Sequence, residues 1–240
     1  MKKTYWKDYW DKQINGQHRS QKEDFLEKEA KEKLLHLNFG ENMLDFGCGS
    51  ADLLVYYTQN YKFCVGADNS KPMLEKAEER LTKFQNNGKV LLIHADNQQI
   101  WRDVENKLGK DFKFDCITAG QVMQYLTKPQ IADFLDHAAL HLTENGKICL
   151  FDIVDLRTYE LWKSGLFKAN SFNFSVVICL VFNRLRNTLK KISGKPACDM
   201  GYAYPPSFFA DAARKHNFNV SIINSMYYEY RYHVILTHTQ

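Results

Sequence analysis

Asn42-Met43-Leu44-Asp45-Phe46-Gly47-Cys48-Gly49-Ser50-Ala51-Asp52-Leu53-Leu54 is the stretch on which the fold turns. Met43–Phe46 reads as a short buried strand, Gly47–Ala51 as a tight turn, and Asp52–Gln59 as the helix that follows. A strand that breaks through glycines into a helix gathers backbone N–H groups and the positive end of a helix dipole in one place. Gly47 and Gly49 allow positive φ and close approach of a ligand to the main chain. Asp45 adds a carboxylate at the strand's last turn. A nucleotide-like ligand suits such a turn.

The spacing separates two kinds of nucleotide turn. A dinucleotide-binding turn needs G-x-G-x-x-G, whose third glycine lets helix and strand pack closely. Here Asp52 stands three residues after Gly49. Asp45-Phe46-Gly47-Cys48-Gly49-Ser50-Ala51 instead resembles the first motif, D/E-x-G-x-G-x-G, of the class I S-adenosylmethionine (SAM)-dependent methyltransferases, with Ala51 in place of the last glycine.

Downstream, strands and helices alternate. Phe63–Ala67, Val90–His94, Phe114–Ala119 and Lys147–Asp152 read as strands; Pro72–Lys83, Gln98–Leu108 and Pro129–Leu142 read as helical. This order predicts right-handed crossovers and a doubly wound, mostly parallel sheet that binds its ligand outside the strands' carboxyl ends. The second strand ends in Asp68, about twenty residues after the turn, where a carboxylate can accept both ribose hydroxyls of an adenosine.

Further matches to the methyltransferases lie at the same strand ends. Asp68-Asn69-Ser70-Lys71-Pro72-Met73-Leu74 is similar to the family's D-x-S-x-x-M-L, which implies that Met73 packs on adenine. His94-Ala95-Asp96-Asn97 stands where the family has an acid for the adenine amino group. Phe114-Asp115-Cys116-Ile117 resembles its F-D-x-I/V, followed by Gly120, Gln121, Gln124 and Tyr125 where cofactor or acceptor is met. Thr143-Glu144-Asn145-Gly146 stands for its L-x-P-G-G without the proline. The resemblance covers roughly residues 40–155. It implies SAM as cofactor, with S-adenosylhomocysteine as product, and a cofactor site built from Asp45, Phe46, Gly47, Cys48, Gly49, Asp68, Asn69, Met73, Asp96, Asn97, Gly120, Gln121 and Tyr125. The bland alternative for the acids is helix capping.

The expected fold is therefore α/β, with seven strands, the last antiparallel. Residues 1–40 form an N-terminal helical cover, 41–155 the cofactor-binding core, 156–200 a helical insertion, and 201–240 a last helix with the closing strands. In the cover, Tyr5, Trp6, Tyr9 and Trp10 recur at helical spacing and Phe25–Leu37 reads as an amphipathic helix; the aromatics either meet the ligand or pack on the sheet edge. In the insertion, the apolar run 172–182 is too short to span a bilayer. The helix that continues it carries Arg184, Arg186, Lys190 and Lys191 opposite Ile178, Phe182, Leu185, Leu189 and Ile192. That pattern suits peripheral contact with an anionic membrane through 172–195. It equally suits a lid over the site or a contact with a second subunit.

The 240 residues carry a net charge of +4, too mild and diffuse to argue for nucleic acid. Six cysteines without a C-x-x-C pair read as reduced core residues, and no apolar run follows Lys2 and Lys3, so a cytoplasmic protein is expected, with membrane association as the variant of that reading. The D/N-P-P-Y/F motif of DNA amino methyltransferases is missing after the fourth strand, where Ala119-Gly120-Gln121 stands.

What the resemblance implies is methyl transfer by in-line displacement to a small-molecule or saccharide-type acceptor, at oxygen in preference to nitrogen. Asp155 and His233 are the candidates for a catalytic base, His233 being equally readable as an alternating strand residue. His137 and His141 have helical metal-ligand spacing, but on a helix lying against the sheet; no metal site is expected. The alternatives are a lipid or isoprenoid acceptor at a membrane, and a non-catalytic SAM-binding partner subunit. The chain is expected to act as a monomer or homodimer.

Overall fold

The computed structural model describes residues 22–96, 99–166, 174–192 and 201–239, the side chains of 176 and 190–192 excepted. Tyr5, Trp6, Tyr9, Trp10, Asn97, Phe172 and Cys198 lie outside the described residues.

Seven strands form one sheet in the order β3-β2-β1-β4-β5-β7-β6. They are β1 (Gly40–Phe46), β2 (Tyr61–Asp68), β3 (Val90–His94), β4 (Phe114–Gly120), β5 (Leu142–Val154), β6 (Phe218–Asn224) and β7 (Arg231–His238). β1 pairs in parallel with β2 and β4, β2 with β3, and β4 with β5. β7 runs antiparallel to both β5 and β6 and is the only antiparallel strand among the described residues. The order reverses between β1 and β4, which opens a crevice at the carboxyl ends of these strands, the position where doubly wound sheets take their ligands.

The described helices are α1 (Glu23–Leu34), α2 (Leu54–Tyr57), α3 (Lys71–Asn86), α4 (Ile100–Leu108), α5 (Lys128–His141), α6 (Leu156–Lys163), α7 (Phe174–Ile192) and α8 (Pro206–Lys215). Strand alternation sends Leu44, Val65, Ile117, Ile148 and Leu150 into one core with Trp101, Phe134 and Phe209 of the helices. Met43, Cys64, Cys116 and Cys149 point to the opposite face, against Ala30, Leu54, Leu74 and Ala77. The cysteines on this face are small and reduced, so α1, α2 and α3 can lie close to the sheet. Gly66 goes further: a Cβ there would press on Leu54 Cδ2 at 2.7 Å and Leu92 Cδ2 at 2.8 Å.

Several elements differ from the sequence-based expectation. The helix expected over Asp52–Gln59 is a single turn, Leu54–Tyr57, because Ala51 adopts φ +59° and Asp52 is committed to other partners. β5 runs past Asp152 to Val154, and Asp152 itself, at φ +57°, breaks the register against β7. His137 and His141 stack on the Trp101 indole at 5.8 and 5.1 Å, and His141 Nδ1 meets the His137 carbonyl at 2.8 Å. They belong to the packing of α5.

Candidate functional site

The chain leaves β1 through three residues with positive φ, Gly47 (+75°), Gly49 (+55°) and Ala51 (+59°). Gly47 N–H and Cys48 N–H donate to the Ala67 carbonyl at 2.7 and 3.1 Å, which folds the turn onto the end of β2. A Cβ on Gly47 would collide with Val122 of the loop after β4. Beyond the turn, the Asp52 carboxylate accepts from Ser50 Oγ at 3.0 Å and pairs with Arg80 of α3, which also donates to the Ser50 carbonyl at 2.9 Å. The turn is thus clamped between β2, α3 and the β4 loop. Ala51 occupies the left-handed conformation that a glycine would take without strain.

Asp68 closes the other side. Its Oδ2 accepts the Gly49 N–H and its Oδ1 the Ser70 N–H, both at 2.8 Å. Burial raises its pKa above the usual aspartate value, and the amides of Ser70, Gly49 and Asn69 pull against that rise. Each carboxylate oxygen retains acceptor capacity beyond one amide. The Met73 methyl lies nearest to where a Gly49 Cβ would point, at 3.9 Å. Asn69 is half-buried between Asp68 and Ser70.

Around the crevice, Phe46 is buried beneath the turn against Trp101 and Phe134. Asp45 Oδ1 accepts from Thr118 Oγ1 at 2.8 Å, joining β1 to β4 across the switch point. Asp96 Oδ1 accepts the Gln99 N–H at 3.0 Å ahead of α4, whose N-cap is Gln99, and the Asp96 residue is exposed. Gly120 ends β4. Gln121 follows at φ +58°, with a buried Nε2 that has no hydrogen-bond partner among the described residues. The Ser70 hydroxyl is buried in the same condition. Tyr125 receives the Gln124 Nε2 donor on its hydroxyl at 2.8 Å.

The two candidate bases are held differently from one another. Asp155 begins α6: its Oδ1 accepts the Arg157 N–H at 3.0 Å and its Oδ2 the Arg157 Nη2 at 3.0 Å. His233 is fully buried. Its Nδ1 accepts the Asp152 N–H at 3.1 Å, so the ring proton sits on Nε2, 3.1 Å from Glu32 Oε1. Lys33 of α1 reaches the same cluster, 2.6 Å from Glu32 and 3.1 Å from Asp152. Glu32, Asp152 and His233 have the spacing of a metal-ligand set, but the Lys33 ammonium already supplies the cation between the two carboxylates. Burial pushes the Glu32 carboxyl up, yet the His233 hydrogen bond and the Lys33 charge outweigh it and bring its pKa down to about 2. Above the cluster, Arg231 Nη1 donates to the Asp152 carbonyl at 2.8 Å and to Gln124 Oε1 at 3.2 Å, its guanidinium lying over Tyr228 and Tyr230.

Residues 44–148 match the family model described as "Methyltransferase domain". The span runs from the glycine turn to the middle of β5 and contains both walls of the crevice. This stretch is a methyltransferase domain.

Solved structures with the same fold include three methyltransferases, each 16% identical to this chain. Magnesium protoporphyrin IX methyltransferase from Synechocystis superposes with a TM-score of 0.61, covering 99% of this chain and 100% of that one. A SAM-dependent methyltransferase from Clostridium acetobutylicum gives 0.59, covering 98% of each chain. Phosphoethanolamine N-methyltransferase 1 from Haemonchus contortus gives 0.65, covering 98% of this chain and 47% of that one. At such identity these likenesses concern the fold alone. No curated protein sequence matches the chain.

The methyltransferase domain's crevice fits an adenosine-bearing sulfonium on its own chemistry. The turn leaves Gly49 without a Cβ, the Asp68 carboxylate is fixed by two amides, and partnerless buried polar atoms stand at Ser70 and Gln121. Sequence reasoning picked out the loops that hold these groups. It missed the cluster behind them, Glu32, Lys33, Asp152 and Arg231. Its signal was present: Glu29 and Lys33 lie four apart beside Leu26 and Ala30 on the buried side of α1, and Arg231 opens a strand whose middle, Val234–Leu236, is apolar.

Proposed function

We propose that the chain transfers the methyl group of SAM to a small-molecule or saccharide-type acceptor, at oxygen in preference to nitrogen. The reading is carried by the Asp68 carboxylate, held by the Gly49 and Ser70 amides at the mouth of the glycine turn. Bound SAM supplies an electrophilic methyl group, whose transfer leaves S-adenosylhomocysteine. Asp68 accepts the ribose hydroxyls, Met73 packs on adenine, and Asp96, beside Asn97, receives the adenine amino group. Asp45, Gly120, Gln121 and Tyr125 border the end of the crevice where the methyl donor and acceptor meet. In-line displacement asks the protein mainly for alignment of two reactants, an effect worth roughly 7–11 kcal/mol in well-oriented systems.

The preference for oxygen rests on charge. The carboxylates at this edge are committed within the chain: Asp45 to Thr118, Asp152 to Lys33, Asp155 to Arg157. A cationic amine acceptor would find two of these counter-charges, Asp152 and Asp155, already paired with Lys33 and Arg157, whereas a neutral hydroxyl needs no counter-charge and gives up its proton to solvent or to a base as the methyl arrives. Tyr202 and Tyr228, both half-buried, add flat, amphipathic surface suited to sugar or aromatic rings. The test is incubation of the protein with cell extract and SAM carrying a CD3 methyl group, followed by mass spectrometry. A small-molecule product with CD3 on oxygen is the expected result. CD3 on nitrogen, or only on macromolecules, overturns the acceptor assignment, and failure of SAM to bind overturns the whole reading.

A further inference from the structure

Helix α7 leaves an apolar stripe uncovered. Phe174, Ile178, Val181, Phe182, Leu185 and Leu189 follow i, i+4, i+7, i+8, i+11 and i+15, a single face at 3.6 residues per turn. Every one of them is exposed, Phe182 to 71% and Leu189 to 68%. The opposite side holds the helix to the protein: Asn187 is buried and donates to Glu160 of α6 at 2.8 Å. Arg184 and Arg186 are exposed and stand on the two flanks of the stripe, about 100° to either side of its centre. The helix contains no Asp or Glu. A contiguous apolar face of this kind marks an interaction surface in a globular protein.

We infer that α7 is an interfacial helix that docks this protein on an anionic lipid surface. Charge complementarity selects this occupant. Lipid acyl chains receive the stripe while acidic headgroups meet Arg184 and Arg186 on its edges, the arrangement of helices that lie in the membrane interface. Arg184 lies 3.8 Å from Glu160 of α6 but keeps most of its side chain in solvent, and a second copy of the chain would bring no acid of the helix itself to the contact. None of the described helices is long and apolar enough to cross a membrane, so docking is peripheral. α6 begins at Asp155, directly beyond the carboxyl end of β5, and α7 packs on it. The docked face therefore adjoins the crevice edge of the sheet.

The test is flotation of the full chain at low salt with vesicles of equal parts phosphatidylcholine and phosphatidylglycerol, and with vesicles of phosphatidylcholine alone. The protein is expected to float with the mixed vesicles and to remain behind with the neutral ones. R184Q/R186Q is expected to weaken partitioning roughly 30-fold, each surface charge contributing about 1 kcal/mol, and F182S/L185S to abolish it. All of these substitutions fall on exposed positions, so unchanged thermal unfolding and SAM affinity verify that the variants are folded. Absence of flotation by the unaltered chain, equal flotation with neutral vesicles, or full flotation of F182S/L185S overturns the inference. So does a dimer in solution that F182S/L185S dissociates while no vesicle binding occurs. SAM binding is read separately, so a failure here leaves the methyltransferase reading intact.

Discussion

Lys33 Nζ lies 3.1 Å from the Asp152 carboxylate, both side chains wholly shielded from solvent, and so ties α1 to the irregular end of β5 across 119 residues of sequence. The ammonium also faces Glu32 at 2.6 Å and Glu29 at 4.0 Å. One ammonium thus faces three buried carboxylates at once. Removing one partner of a buried pair is far more damaging than replacing both, because the remaining charge is left desolvated. Lys33→Met is therefore expected to destabilise the fold by about 3–5 kcal/mol in denaturant titration. Adding Asp152→Asn to Lys33→Met should recover part of that loss, since directly contacting groups are not additive. A loss of under about 1 kcal/mol for Lys33→Met would instead class the pair with exposed salt bridges.

Glu32 gives this cluster a pH signature. Its carboxyl falls from 4.5 to about 2 on folding, so the ionised form is favoured in the native state. A depressed carboxyl adds stability that is complete above its unfolded value and is lost as pH falls through its folded value. Stability should thus decline from about pH 4.5 toward pH 2, and Glu32 alone accounts for roughly 3 kcal/mol of that decline. Glu32→Gln is expected to be less stable at neutral pH and to show a shallower acid slope. Unfolding free energies measured across this range for both proteins make the comparison; parallel slopes would remove Glu32 from the account.

What the sequence made legible follows from the range of the forces involved. The glycine turn, Asp68 and the strand ends are local: a few consecutive residues determine a turn and the carboxylate beside it. The mostly parallel sheet with an antiparallel last strand was legible too, since alternating strands and helices imply right-handed parallel crossovers. The Lys33–Asp152 contact joins α1 to a strand 119 residues away, and β7 beside β5 brings His233 against Glu32 of α1. Periodicity carries no information about which distant strand a helix will meet. For the same reason the reading of Phe25–Leu37 as an amphipathic helix did not single out Lys33. Ala51 and Asp152 at positive φ were likewise hidden, because neither residue type announces that conformation and packing imposes it.

The Asp68 assignment predicts a direct effect on cofactor affinity. Its oxygens accept two amides, and ribose hydroxyls would add charge-assisted bonds of the stronger kind. Asp68→Ala is expected to weaken SAM binding by about 1–3 kcal/mol, or roughly 5- to 150-fold. Because burial raises this carboxyl, binding should also begin to weaken at a higher pH than an ordinary aspartate would give. Titration calorimetry at neutral and mildly acidic pH checks both. Unchanged affinity in the variant would place the ribose elsewhere.

Asp155 separates a structural from a chemical role most sharply. As the residue that starts α6, it accepts the Arg157 N–H and binds the Arg157 guanidinium. Loss of an N-cap aspartate typically costs about 0.5–2 kcal/mol of stability. A general base, by contrast, contributes roughly 100- to 10,000-fold to rate. The Arg157 amide and guanidinium already occupy this carboxylate, so Asp155→Ala is expected to lower the melting temperature while turnover of the CD3-identified acceptor changes less than about tenfold. His233→Asn should behave similarly, its ring nitrogens being turned to Asp152 N–H and Glu32. Turnover measured at saturating SAM and acceptor decides between the roles. A rate loss of a hundredfold or more in a variant that still binds SAM normally would make that residue the base, and methyl transfer would then depend on proton removal as well as alignment.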